Sequence, residues 1–147
     1  MRRMTEVTNV SVETGEIDLS ADSDLPDSVE HLIIPARVEV YEINGPYFFG
    51  IANRFEEVMN DMGGTPAVRI IRMRRVPFID STGIHNLTNL CEKCLKKDVS
   101  IVLSGVNPKV MVVLAKSGFD RIIGKDNICS HITVALERAR VLAAQLG

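Results

Sequence analysis

The stretch Val76-Pro77-Phe78-Ile79-Asp80-Ser81-Thr82-Gly83-Ile84 holds the residues best placed to do chemistry. It joins a β-branched run to an amphipathic one, so it falls at the carboxyl end of a strand. In open α/β sheets that is where ligands and partners are usually met. Asp80 and Ser81 are both good helix caps, and Gly83 lets the backbone approach a neighbour closely. A hydroxyl here stands at the positive end of a helix dipole. A phosphate attached to Ser81 would be received by backbone N–H groups. His85 follows in the first helical turn, within reach of a partner. The plainer reading of the same residues is a capped helix start.

Other combinations carry less. Cys91 and Cys94 form a C-x-x-C pair, but in mid-helix among leucines, whereas a redox pair normally sits at a helix N-terminus. A structural zinc site needs four ligands, and only Cys129 and three scattered histidines remain. These cysteines read as core, and no metal or other cofactor is expected. No serine lies in a G-x-S-x-G elbow, and Ser81 has no evident base and orienter, so hydrolysis finds no support. The chain also lacks a P-loop and a G-x-G-x-x-G fingerprint.

The elements that must position Ser81 alternate in type. Leu32 to Ile43 reads as an edge strand, and Asn44-Gly45-Pro46 as a hairpin turn returning through Tyr47-Phe48-Phe49. Ile51, Phe55, Val58, Met59 and Met62 share one helical face, stopped by Gly63-Gly64. Ala67 to Met73 is β-branched and short, as a central strand should be. The next helix carries Ile84, Leu87, Leu90, Cys91, Cys94 and Leu95. Val99 to Leu103 reads as a strand buried on both faces. Asn107-Pro108 is a cap followed by proline at the first helical position, and Ser117-Gly118 ends that helix. A last helix covers Ile128 to Leu146. The pattern predicts an α/β layer: a mixed sheet with a parallel centre and an antiparallel edge hairpin, with about four helices.

Composition agrees with one folded unit. The 147 residues are 46% hydrophobic and 24% charged, which excludes collagen-like, disulfide-scaffold and wholly disordered chains. Three cysteines suit a reducing compartment. A net charge of −2 offers no global basic field for nucleic acid. The longest apolar run, Val110 to Ala115, is far short of the roughly 20 residues of a membrane helix. Acidic and polar residues follow Arg2-Arg3 where a signal peptide would be apolar, so a soluble chain without a signal peptide is expected. Residues 1–31 carry eight carboxylates against two arginines, a balance of −6, while the remainder stands at +4. The first stretch reads as an acidic linker or tail with weak strand tendency, and the domain as residues 32–147.

Phe78-Ile79-Asp80-Ser81-Thr82-Gly83-Ile84, between a strand and a leucine-bearing helix, resembles the signature loop of the STAS domain. That family comprises bacterial anti-sigma-factor antagonists and the cytoplasmic domains of sulfate-permease (SulP-type) anion transporters. The resemblance runs from about Ala36 to Leu142. Val40 to Gly50, with its Gly45-Pro46 turn before Tyr47-Phe48-Phe49, is similar to the transporter branch.

The resemblance implies a non-catalytic regulatory and interaction domain at the cytoplasmic face of the membrane, joined to a transmembrane domain of the same polypeptide. Contacts would centre on Asp80, Ser81, Thr82, Gly83 and His85, with a cytosolic protein partner that the sequence does not name. Arg2-Arg3 and the acidic stretch resemble the exit from the last membrane helix, which would make Met1 an internal residue. The antagonist branch implies instead a free-standing protein switched by phosphorylation of Ser81. One departure is Arg72, Arg74 and Arg75, where antagonists commonly carry an acidic residue. This basic cluster would contact an anionic lipid surface or an acidic partner, or else form a solvated loop. Weak nucleotide binding would fall in a shallow cleft near Asp80–Gly83. A homodimer would form through the opening hairpin edge.

Overall fold

The structure, a computed structural model, describes residues 10–13, 16–18, 31–62 and 65–146. In chain order the elements are β1 (Val10–Glu13), β2 (Glu16–Asp18), β3 (His31–Ile33), β4 (Val38–Asn44), α1 (Phe49–Asp61), β5 (Val68–Arg75), α2 (Ser81–Lys96), β6 (Ser100–Ser104), α3 (Pro108–Ser117), α4 (Phe119–Ile123), β7 (Ile128–Cys129) and α5 (Ile132–Leu146). The main sheet runs β1-β4-β5-β6-β7, and β2 pairs with β3 in a separate two-stranded sheet. β1 lies antiparallel on β4, while β4, β5, β6 and β7 are parallel.

Each parallel step moves one strand further in the same direction, through α1, then α2, then α3 with α4. Right-handed crossovers advancing one way place their helices on one face. Those helices share a core with one side of the sheet: Tyr41, Ile43, Ile71, Met73, Ile101 and Leu103 pack with Phe55, Leu87, Leu114 and Phe119. The alternate strand residues Val38, Val40, Val68, Ile70 and Val102 face α5, where Ile132, Ala135, Leu136 and Ala139 meet them. A sheet covered on both faces explains why the inner strands are nearly continuous in apolar residues. No helix among the described residues is long and apolar enough to cross a membrane.

The mixed sheet with a parallel centre and an antiparallel edge is present, but a different segment supplies the edge. The hairpin through Asn44-Gly45 does not form. A two-residue type I′ turn needs positive φ at both central residues. Only Gly45 has it, at 107°, and Pro46 follows. The Gly45 N–H donates instead to the Arg75 carbonyl at 3.1 Å, which keeps the chain alongside β5. Tyr47 then makes a single parallel bridge with Ile79, and α1 begins at Phe49. The antiparallel neighbour of β4 is β1, which lies in the acidic stretch that showed only weak strand tendency, with Val10 buried in the core.

Two further differences lie near the end of the chain. The last helix starts at Ile132 because Ile128 and Cys129 pair with Leu103 and Ser104 as β7. Phe119 to Ile123 forms α4 between Gly118 and Gly124, both at positive φ. Five residues are too few to show helical periodicity.

Candidate functional site

Three chain segments build the loop from Val76 to Gly83. Asp80 caps α2: its Oδ1 accepts the Gly83 N–H at 2.6 Å, and its carbonyl accepts the Ile84 N–H at 2.9 Å. The Tyr47 N–H donates to the Phe78 carbonyl at 3.0 Å. The Tyr47 carbonyl lies so close to Gly83 that a β-carbon there would stand 2.0 Å from the oxygen, well inside contact distance. From the other side, Asn107 Nδ2 donates to the carbonyls of Val76 at 3.0 Å and Pro77 at 3.3 Å. Its Oδ1 accepts the Val110 N–H at 2.8 Å and caps α3. One asparagine therefore closes a helix end and ties two loops together.

Above these clamps the surface is open. Ser81 and Thr82 are exposed in the first turn of α2, and His85 is exposed one turn on, its Nε2 3.3 Å from Asn89 Nδ2. Asp80 is exposed as a residue, with one carboxylate oxygen engaged by Gly83. Phe48 and Phe78 pack against each other, ring centroids 5.3 Å apart, yet both stay more than 40% exposed. Pro77 of the same loop lines a shallow depression of about 510 Å³ together with Asn107, Pro108 and Lys109. Beneath the loop Tyr47 is fully buried, its hydroxyl without a hydrogen-bond partner among the described residues, and burial pushes its ionisation above the ordinary phenol range.

The structure brings Asp80, Ser81, Thr82, Gly83 and His85 together, and it separates the three arginines. Arg72, Arg74 and Arg75 belong to β5, a central strand. Arg72 is buried. Arg74 Nε pairs with Glu42 Oε2 at 2.8 Å, both side chains 13% exposed, and Arg75 reaches the same oxygen at 3.8 Å. Arg72 and Arg74 share the strand parity of Ile70 and therefore lie on the α5 side of the sheet. Only Arg75 is half exposed, so the run forms neither a common basic surface nor a solvated loop.

Cys91 and Cys94 are buried against the helical core, as their spacing among leucines implies. Three contributors to the loop were not legible as such: the Tyr47 carbonyl, the Phe48 ring and the amide nitrogen of Asn107. The Asn-Pro pair signals a cap, which uses only the side-chain oxygen. Nothing in the spacing says where the nitrogen points.

The family model of the STAS domain matches residues 31–135. Sulfate transporter 1.1 of Arabidopsis thaliana is 35% identical over 102 residues, which are 66% of this chain and 16% of that protein. A solved sulfate transporter family protein from Wolinella succinogenes is 42% identical with a TM-score of 0.74, covering 81% of this chain and 98% of that one. The SulP transporter STAS domain from Vibrio cholerae is 31% identical with a TM-score of 0.67, covering 84% and 94%. A Thermotoga maritima protein described as an anti-sigma factor antagonist shares the fold, at 23% identity and a TM-score of 0.61, with 73% and 94% covered.

Proposed function

The chain belongs to the STAS domain family, and from that premise we propose that it is the cytosolic regulatory and interaction domain of a sulfate-type anion transporter. The observation that carries this reading is 42% identity across 98% of the solved chain of a sulfate transporter family protein from Wolinella succinogenes. In this reading the domain has no reaction of its own. Transport belongs to a transmembrane domain of the same polypeptide, and the STAS domain works at its cytoplasmic face.

The contact surface is the first turn of α2 with the exposed Asp80, Ser81, Thr82 and His85; Gly83, expected as a contact, is buried against the Tyr47 carbonyl and supports the turn instead. Its construction supports a recognition role. Tyr47 and Asn107 brace the loop from beneath, so Ser81 and Thr82 are displayed on a backbone that loses little freedom when a partner binds. Regulation would need a contact made differently in two states of the transporter.

An antibody against residues 32–147, applied to fractionated source cells, tests the attachment. A membrane-fraction band much larger than 16.2 kDa is the expected result; a soluble band at that mass overturns the reading. In the large polypeptide, Ser81→Asp should change sulfate uptake without changing the amount of protein in the membrane.

One observation favours a second reading, a free-standing antagonist switched at Ser81: the serine is exposed as the first residue of α2, directly after the Asp80 cap. A phosphate there would meet the positive end of a helix of 16 residues. Under that reading Ser81→Asp abolishes binding to a soluble partner, and the soluble band is the one observed.

A further inference from the structure

Helix α3 is apolar on two sides, and only one of them is covered. Val110 and Leu114 are buried in the helical core. Pro108, Met111, Val112 and Ala115 stand at i, i+3, i+4 and i+7, which is one face of a helix, and all four are exposed. Val112 is 52% exposed and Met111 37%. Scattered apolar residues on a surface need no explanation, but four on one helical face make a continuous strip. The outward positions of α1 and α2 hold Arg54, Glu57, Asn89 and Glu92 instead. The strip also meets Pro77 of the Ser81 loop, across the depression that Pro77 and Pro108 line together.

Cations border the strip. Lys109 and Lys116, at i and i+7 of α3, are exposed along one edge of the apolar face. Helix α4 packs on α3, and its Arg121 guanidinium lies over Gly118 at the end of α3, Nη2 3.1 Å from where a β-carbon would stand. Lys125 is exposed just beyond α4. Against these four cations, residues 107–127 expose a single carboxylate, Asp126, because Asp120 is buried. Helix α3 itself contains no acidic residue. Its free face is the outer side of a helix, convex rather than grooved, so it suits a broad, yielding surface better than an inserted peptide.

We propose that the outer face of α3 is a binding surface for anionic phospholipid. Met111 and Val112 enter the boundary between headgroups and acyl chains, and the small Pro108 and Ala115 let the helix lie close to it. Lys109, Lys116 and Arg121 meet lipid phosphates, their aliphatic stems alongside the apolar strip. An acidic amphipathic helix of a partner protein has the same chemistry, but helices of that kind are taken up by grooves, and α3 offers a ridge. One short helix binds lipid weakly and reversibly, and a tether to a transmembrane domain raises the local concentration of lipid around it. The contact fixes which side of the domain faces the bilayer. It adds this to the function proposed above and does not pass through the Ser81 loop.

The chain contains no tryptophan, so Val112→Trp sets a single such fluorophore in the middle of the strip. The probe is vesicles of phosphatidylcholine with about one-third phosphatidylglycerol. The expected result is a blue shift of the emission and its quenching by brominated acyl chains. Vesicles of phosphatidylcholine alone should bind at least about tenfold more weakly. Lys109→Gln combined with Lys116→Gln should weaken binding to the mixed vesicles by roughly twentyfold. Val134→Trp, exposed on α5 across the sheet, should not respond. An unmoved emission from Val112→Trp overturns the proposal, and so does an equal response from Val134→Trp or to neutral vesicles. Loss of sulfate uptake in Met111→Ser with Val112→Ser, while vesicles leave the emission unmoved, assigns the face to a protein instead. Flotation of the unsubstituted chain and of the lysine variant with the same vesicles needs no tryptophan, and it decides the matter even if Val112→Trp does not fold. These measurements use the 147-residue chain alone, so they are independent of whether fractionation finds a larger polypeptide.

Discussion

The main-chain oxygen of Tyr47 occupies the space that any side chain at Gly83 would need, with 2.0 Å between that oxygen and an added β-carbon. Alanine is the better helix former by roughly 1 kcal/mol. Sterics outweigh that here, because the obstructing atom is backbone, held by the hydrogen bond from Tyr47 N–H to Phe78. Gly83→Ala should therefore destabilise by about 1–3 kcal/mol, the usual range for overpacking. Thermal unfolding reads this as a drop of several degrees. A Gly83→Ala variant as stable as the parent would mean that the 45–48 segment moves freely.

Asn107 offers a finer comparison. Asn107→Ala removes the cap of α3 and both bonds to the Val76 and Pro77 carbonyls. Asn107→Asp keeps the cap oxygen and sets a carboxylate against those carbonyls. Both should lose about 1–3 kcal/mol in urea unfolding. If only the cap mattered, Asn107→Asp would match the parent.

Tyr47→Phe should be nearly neutral, within about 1 kcal/mol, although the residue is completely buried. Among the described residues the hydroxyl has no partner in the folded state, and it gives up its hydrogen bonds to water on folding. A loss above about 2 kcal/mol would show that the hydroxyl is bonded in solution.

Alkaline pH should weaken the fold. Burial raises the ionisation of Cys91, Cys129, Tyr41 and Tyr47, so the native state holds those protons longer than the unfolded chain does. Where the unfolded chain binds fewer protons, stability falls with rising pH. The decline opens near pH 9, the ordinary thiol value, and steepens past 10, the ordinary phenol value. Urea midpoints across this range measure it. Tyr47→Phe should give a shallower decline above pH 10, and an identical slope would contradict the assignment.

Asp98, just after α2, adopts φ of 64°. A side chain in that left-handed conformation costs about 1 kcal/mol unless it is glycine, asparagine or aspartate. Asp98→Ala should be less stable than Asp98→Gly by about that amount in paired denaturation curves. The reverse order would place the strain elsewhere.

Much of this fold could be read from local chemistry. Asp80 and Asn107 cap the helices their residue types announce, and Gly118 ends α3 in the left-handed conformation that glycine favours. The local geometry of the candidate loop was legible to the same depth, because Asp80, Ser81 and Gly83 are neighbours in the chain and the Asp80 cap reaches only to Gly83. What failed was anything set by distant backbone. Asn44-Gly45 carries a hairpin signal, yet its N–H is claimed by Arg75, thirty residues away in the chain. Arg72 and Arg74 look like a solvated basic run until β5 is known to be central and Glu42 to lie opposite. Two residues, Ile128 and Cys129, make a strand only because Leu103 and Ser104 are already there to pair with.

Helix α5 follows every strand of the sheet in chain order and is the helix that packs on Val40, Val68, Ile70 and Val102. During synthesis the strands and α1–α4 leave the ribosome first, so the larger core can assemble while this apolar surface is still bare. A nascent STAS domain therefore passes through a stage at which it is sticky on one side. Chaperone capture at that stage, and misassembly between neighbouring nascent chains, are the hazards built into a cover that arrives last.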